Sequence, residues 1–115
     1  MNTRKIGTAY EEKAAAYLRE KGFEILEKNY RKARGEIDLI ARDRDYLVFI
    51  EVKYREALNQ GGAQYAISRS KQQTIGRIAQ WYISEHHIPA DTFCRFDAVL
   101  INKDELEHIP DAWRL

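Results

Sequence analysis

The chain has 115 residues, of which 44% are hydrophobic and 32% are charged, a composition typical of a folded globular domain and not of a disordered chain. Its formal net charge of +1 argues against a protein that coats nucleic acid, so any nucleic-acid surface must be a local patch. The single cysteine, Cys94, excludes an intramolecular disulfide and a cysteine-based metal cluster.

The N-terminal segment lacks the apolar core of a signal peptide, and the longest apolar runs are too short to span a membrane. We therefore expect a cytoplasmic protein with no membrane partner. No repeat, low-complexity tract or linker interrupts the sequence, which predicts a single domain over residues 1–115.

The first third of the chain predicts a helix followed by a strand. Apolar residues at helical spacing indicate a helix from Thr8 to Lys21, with Gly22 as its C-terminal stop. Apolar positions in residues 23–30 indicate a strand, and the basic sequence Arg-Lys-Ala-Arg-Gly at 31–35 indicates a turn.

The remainder predicts a hairpin, a second helix and a further strand. Residues 36–42 and 46–54 form the hairpin around a polar turn at 43–45, and a glycine-containing loop follows at 57–64. A helix is expected from Ser68 to His86 and a strand over 93–101, whereas residues 106–115 are a short tail with no assigned element. This α-β-β-β-α-β order predicts an α/β fold, in which a helical crossover brings the last strand parallel to one of three antiparallel strands of a mixed sheet.

Charged residues interrupt the two apolar strands of the hairpin. Glu51 and Lys53 share one face of the second strand, and a turn centred near residue 44 places Asp38 opposite Ile50 or Glu51. Two converging carboxylates repel each other, and a divalent cation removes that repulsion. Carboxylate oxygens suit Mg²⁺, and the Lys53 ammonium could orient a water or offset charge on a phosphate. The alternative is an ion-paired polar face on a half-exposed sheet.

Basic residues flank this hairpin in the sequence. We expect phosphate contacts from Arg34, Arg55 and Lys71, the last near the N-terminus of the second helix. The alternative is an ordinary solvated surface, since the chain also carries 18 acidic residues.

The segments GEIDLIARD (35–43) and VFIEVKYR (48–55) closely resemble the YraN-type family of small bacterial proteins. Members of that family are described as predicted endonucleases of the PD-(D/E)XK, restriction-endonuclease-like superfamily, and they are similar in plan to archaeal Holliday-junction resolvases. The resemblance extends over nearly the whole chain, from Gly7 to the Arg-Phe-Asp sequence at 95–97.

The resemblance assigns roles to individual residues. The metal-binding aspartate of the superfamily matches Asp38, and its glutamate and lysine match Glu51 and Lys53. Resolvase-like members often add a glutamate from the first helix, for which Glu12 is the matching candidate, and a solvated helix residue is the alternative. Ile37 stands where the superfamily motif has proline.

Residues and resemblance together imply a restriction-endonuclease-like fold and a Mg²⁺- or Mn²⁺-dependent DNA endonuclease without a small-molecule cofactor. Analogy with resolvases suggests branched or structured DNA as substrate and a homodimer as the working unit. A second hypothesis is a nucleic-acid-binding or assembly module that keeps the nuclease scaffold without turnover. A third is a protein-interaction domain in which the charged strand is a coincidence.

Overall fold

The protein, represented by a computed structural model, is described over residues 3–58 and 67–115. Its elements in chain order are helix α1 (Thr3–Glu20), strands β1 (Glu24–Lys32), β2 (Gly35–Asp43) and β3 (Tyr46–Tyr54), helix α2 (Arg69–Glu85), and strands β4 (Phe93–Ile101) and β5 (Leu106–Trp113).

The strands form one mixed sheet in the order β1-β2-β3-β4-β5. Strands β1, β2 and β3 pair antiparallel through short turns. The crossover through α2 then brings β4 parallel to β3, and β5 returns antiparallel to β4. The predicted α/β fold with a mixed sheet is therefore confirmed.

The two helices cover opposite faces of the sheet, because each has one apolar stripe to bury. In α1 this stripe is Ala14, Ala15 and Leu18, which pack with Leu39, Ile50 and other residues of one sheet face. In α2 it comprises Ile75, Ile78, Ala79 and Tyr82, which pack with Phe49, Leu47 and Ile40 on the other face.

Most element boundaries agree with the sequence analysis. Helix α2 fills the predicted range, with Ser68 as its N-cap and His86 as its C-cap. Helix α1 begins at Thr3 instead of Thr8, so it continues through Gly7 despite the lower helix propensity of glycine. The predicted loop at 57–64 lies outside the described residues beyond Leu58. No helix in the described ranges is long and apolar enough to cross a membrane.

The C-terminal tail, to which no element was assigned, forms the edge strand β5. Pro110 and Asp111 interrupt the sequence pattern of a strand, because they lie at an irregularity where the register against β4 shifts by two residues. Asp111 has a positive φ of 52°, and its N–H donates to the Asp97 carboxylate at 3.0 Å. Proline is tolerated at such an edge position because it need not donate to the sheet.

The β1–β2 turn is fixed against α2 by close packing. The Arg77 guanidinium donates to the Ala33 carbonyl oxygen at 2.6 Å. A Cβ atom on Gly35 would lie 2.7 Å from Ile78 Cδ1 and 2.9 Å from Thr74 Cγ2. Only glycine therefore lets the turn approach the helix this closely.

Gly35, which packs on α2, and Gly76, which lies within α2, should respond in opposite ways to an added methyl group. Gly35→Ala should lower the unfolding free energy by about 1–3 kcal/mol, because the turn must move away from buried Ile78. Gly76→Ala is the matched control, since the atoms nearest to its Cβ would belong to the side chain of Leu115, a terminal residue that is 70% exposed.

Helix propensity favours alanine at position 76 by about 1 kcal/mol. Thermal unfolding of both variants should therefore show a lower midpoint for Gly35→Ala and an equal or higher one for Gly76→Ala. Equal midpoints for Gly35→Ala and the wild type would contradict the close approach.

Candidate functional site

Strands β2 and β3 part at Asp38. Their ladder ends at the pair Leu39–Ile50, so Asp38 and Glu51 are the next residues on the two parting strands. The Val52 N–H donates to Asp38 Oδ2 at 2.8 Å. The side chain of one strand thus takes the place of a backbone acceptor and holds Asp38 beside Glu51.

Pairing with β1 also lapses at this position. The ladder contains Lys28–Leu39 and Tyr30–Ile37 but not the intervening pair, and Asn29 has a positive φ of 53°. Ile37 belongs to the core under α2, whereas Leu39 belongs to the core under α1. The alternation of side chains along β2 is therefore interrupted around Asp38, which leaves this carboxylate in a notch between strands.

Four carboxyl groups converge at this notch, and we call them the carboxylate cluster: Glu11, Glu36, Asp38 and Glu51. One carboxylate oxygen each from Glu11, Glu36 and Asp38 lies within 4.8 Å of the others. Glu51 follows Ile50, the last partner of Leu39 in the ladder, so it lies beside Asp38, whose charge helps to raise the Glu51 pKa. Asp38 is therefore the member shared by both groupings.

Burial and mutual repulsion disfavour negative charge in the cluster. Burial raises the pKa of Glu51 to about 9, and the neighbouring Asp38 carboxylate acts in the same direction. Burial, followed by the charges of Asp38 and Glu36, raises the pKa of Glu11 to about 7. At neutral pH the cluster therefore holds protons that a cation could replace.

The donor set fits a hard divalent cation. All four side chains offer carboxylate oxygens, which are the ligands Mg²⁺ and Mn²⁺ prefer, and the cluster contains no sulfur donor. Charge repulsion among the carboxylates is a direct physical reason for such a site to take up a cation.

Two lysines accompany the cluster. Lys71 Nζ, from the first turn of α2, lies 3.6 Å from Glu51 Oε2. Lys53 is exposed on β3, and its charge acts with that of Lys71 to offset part of the rise in the Glu51 pKa. The predicted residues Asp38, Glu51, Lys53 and Lys71 are thus brought together at one end of the β2–β3 hairpin.

Glu12 is not brought to the cluster. Its carboxylate accepts from Lys28 Nζ at 2.7 Å, and its side chain is 54% exposed. The structure places the neighbouring Glu11 beside Asp38 instead. Helical spacing contained this signal, because Glu11 lies three, four and seven residues before Ala14, Ala15 and Leu18, the buried stripe of α1.

Glu36 was also missed as a candidate. It lies two residues before Asp38 on β2, a spacing that in an uninterrupted strand predicts the same face. Its charge at the start of a predicted strand was the available signal.

The other predicted phosphate contacts take different positions. Arg34 is exposed in the β1–β2 turn with a positive φ of 64°. The Arg55 guanidinium donates to the Tyr54 carbonyl oxygen at 3.1 Å, and the Arg55 N–H donates to Ile101. Arg34 lines the same groove as Lys71. Arg55 does not line this groove, and it lies just after the end of β3.

The pKa of Glu51 gives a testable pH dependence of stability. Because its carboxyl pKa is raised from 4.5 to about 9 in the fold, protonated Glu51 favours folding. This stabilisation is complete below the unfolded-state pKa and is lost as the pH rises through about 9. Glu51→Gln mimics the protonated form and should remove that loss.

In EDTA, the unfolding midpoint of the wild type should fall more steeply between about pH 6 and about pH 9 than that of Glu51→Gln. Glu12→Gln is the control, because a hydrogen bond from Lys28 lowers the pKa of Glu12. The loss of that ionised carboxylate affects stability equally at every pH well above 4.5, so the profile of Glu12→Gln should run parallel to that of the wild type across this range. Parallel pH profiles for Glu51→Gln and the wild type would contradict an ionisation penalty at Glu51.

Comparison with known proteins places this chain in a family. The family model described as "Uncharacterised protein family UPF0102" matches residues 10–101. The UPF0102 protein of Lachnoclostridium phytofermentans is 43% identical over 113 residues, covering 98% of this chain and 96% of the relative. The UPF0102 protein of Shewanella loihica is 41% identical over 107 residues, covering 93% and 92%.

The UPF0102 protein YraN of Escherichia coli is 39% identical over 114 residues, covering 98% of this chain and 87% of the relative. The resemblance to the YraN-type family is therefore confirmed. By the family match and by these identities over nearly full length, the chain belongs to the uncharacterised protein family UPF0102.

Proposed function

We propose that the protein is a metal-dependent endonuclease that hydrolyses phosphodiester bonds in DNA. The single observation that carries this proposal is the carboxylate cluster, in which carboxyl groups from α1, β2 and β3 converge at the gap between two strands. Gathering repelling carboxylates costs stability, and Lys71 and Lys53 offset only part of the rise in the Glu51 pKa, which supports a functional role for the cluster.

The proposed ligands of Mg²⁺ or Mn²⁺ are Asp38, Glu11 and Glu51, with Glu36 as a further oxygen donor. When bound, the ion would supply Lewis-acid stabilisation of phosphate charge and would lower the pKa of a coordinated water. Asp38 is held for this role by the Val52 N–H, and Glu51 is held by burial beside Asp38.

Lys53 is proposed to orient the attacking water and to offset charge on the phosphate. Its exposed side chain extends from β3 two residues beyond Glu51, so the ammonium can meet solvent and substrate together. Lys71 balances charge at Glu51 from the opposite element, at 3.6 Å. The assignment of branched DNA and of a homodimer remains a proposal by analogy with resolvases.

The decisive experiment is a cleavage assay on labelled duplex, single-stranded, flap and four-way-junction DNA, with an RNA strand in parallel. Cutting should require Mg²⁺ or Mn²⁺ and stop in EDTA. Asp38→Asn, Glu51→Gln and Lys53→Met should each lower the rate at least about a hundredfold, because each removes a ligand or a charge-stabilising group.

Glu24→Gln is the matched control, since Glu24 is exposed at the far end of β1, and it should cut at the wild-type rate. Glu11→Gln and Glu12→Gln should differ, with only Glu11→Gln impaired. Metal-independent cutting, or full activity in Glu51→Gln, would refute the proposal. Metal-independent binding without any cutting would instead favour the binding module that keeps a nuclease scaffold.

Metal binding has a readout that does not depend on turnover. Mg²⁺ at about ten times its dissociation constant should stabilise the fold by about 1.4 kcal/mol, because it binds only the assembled cluster. The increase in unfolding midpoint should be larger at pH 8 than at pH 6, because protons on Glu51 and Glu11 compete with the metal.

Asp38→Asn should abolish this increase, and K⁺ at the same ionic strength should not produce it. An increase that survives Asp38→Asn would place the metal elsewhere.

A further inference from the structure

A groove lined with basic residues opens beside the carboxylate cluster. It has a volume of about 540 Å³, and we call it the basic groove. One wall is the β1–β2 turn and the other is the first turn of α2. The lining residues are Arg31, Lys32, Ala33, Arg34, Gly35, Glu36 and Lys71. Four cations therefore face this groove against one carboxylate.

We propose that the basic groove binds the sugar–phosphate backbone of the nucleic acid next to the phosphate that is hydrolysed. Arg34 and Lys71 are the principal contacts, one on each wall. This inference rests on the proposed nuclease function and deepens it, because it states where the substrate strand lies and which residues hold it.

The groove and the carboxylate cluster are continuous. Glu36 lines the groove and also belongs to the cluster. Lys71 lines the groove on the other wall and contacts Glu51 at 3.6 Å. A phosphate at Lys71 would therefore lie next to the carboxylates, and the following phosphates of the strand would extend along the turn.

The cations of the groove differ in how far they are engaged within the fold. Lys32 Nζ contacts the Glu85 carboxylate at 2.8 Å, so its charge is largely balanced. Within the described ranges Arg34 makes no ion pair. The Lys71 side chain is 41% exposed, and its distance to Glu51 is longer than a hydrogen bond. Arg34 is thus the most available cation of the turn, where Arg31 is 55% exposed but lies 3.8 Å from Glu36. Lys71 is the cation that α2 contributes to the groove.

The turn that carries Arg34 is held rigidly before any ligand binds. Its Ala33 carbonyl accepts from Arg77 at 2.6 Å, and Gly35 packs directly on Ile78 and Thr74. A preorganised turn loses little conformational entropy when it contacts phosphate. Its position against α2 also fixes the width of the groove.

An extended polyanion suits this arrangement better than a small anion does. The two principal cations lie on separate walls, and the carboxylate cluster continues from the groove. A strand with a phosphate at every residue can contact both walls and still present one phosphate to the cluster. An acidic peptide would bring further carboxylates to the cluster and no phosphoryl group.

The test is binding of a fluorescent oligonucleotide in EDTA, followed by anisotropy over a range of salt concentrations. Arg34→Gln and Lys71→Gln should each weaken binding about threefold to tenfold and reduce the slope of log affinity against log salt by about 1. The double variant should lose both contributions. The Ser68 cap should survive in Lys71→Gln, because Ser68 Oγ accepts from the Lys71 backbone N–H.

Arg44→Gln is the matched control. Arg44, like Arg34, is an exposed arginine with positive φ in a turn that flanks β2, but it lies in the β2–β3 turn at the other end of that strand. This variant should bind as the wild type does. Glu36→Gln should bind more tightly, because it removes the one carboxylate of the groove and releases Arg31, now 3.8 Å away.

Wild-type affinity in both Arg34→Gln and Lys71→Gln, with unchanged unfolding midpoints, would overturn the proposal. Equal weakening by Arg44→Gln would also overturn it, since attraction would then be diffuse. Equal affinity for polyglutamate of matched charge would show recognition of charge alone and would overturn the phosphate assignment.

The outcomes for the groove and for catalysis can be separated. If the groove variants bind more weakly but the wild type shows no metal-dependent cutting, the groove proposal is supported and the nuclease proposal is refuted. If the wild type cuts and the groove variants have unaltered binding and KM, the nuclease proposal is supported and the groove proposal is refuted.

Discussion

The hydrogen bond from the Val52 N–H to the Asp38 carboxylate is the contact on which the candidate site depends. Where β2 and β3 part, the Val52 donor loses its ladder partner, and an unsatisfied donor in a half-buried position is costly. A carboxylate supplied by β2 satisfies it and is thereby fixed in the gap. The parting of the strands also makes room there for Glu51 and for Glu11 from α1.

Asp97, a second buried acid, differs from Glu51 because its pKa is lowered and not raised. Asp97 is fully buried on β4, which by itself would raise its pKa, but bonds from His108, Arg95 and the Asp111 N–H together lower it. That carboxylate is ionised and compensated, and it fixes the irregular part of β5. The cluster at Asp38 has no equivalent compensation, because the Glu51 pKa stays raised despite Lys71 and Lys53, and the Glu11 pKa is also raised. Incomplete compensation of charge is the property by which the proposed cation site differs from the ion pairs of Asp97.

The sequence predicted what depends on local pattern and missed what depends on backbone irregularity. The strand ranges of the hairpin, the α2 crossover and the juxtaposition of Asp38 with Glu51 follow from alternation and from a short turn. The family resemblance pointed to Glu12, whereas the helical spacing from the buried stripe of α1 favours Glu11, which the structure places beside Asp38. The lapse in β1–β2 pairing at Asn29, beside the notch that holds Asp38, involves a positive φ angle at a non-glycine residue, and so does the irregularity of β5 at Asp111. Sequence patterns rarely reveal such angles.

The net charge of +1 conceals a strong local separation of charge. On one side of the β1–β2 turn, four carboxyl groups converge with incomplete compensation, and on the other side Arg34 and Lys71 face an open groove. Neither half can attract both ligands. The carboxylates attract Mg²⁺ but repel phosphate, and the cations attract phosphate but repel Mg²⁺. Placed side by side, they favour a ligand pair in which the metal neutralises the carboxylates and the phosphates neutralise the cations. Each partner then reduces the repulsion that the other meets, so metal and nucleic acid should bind this edge of the sheet cooperatively.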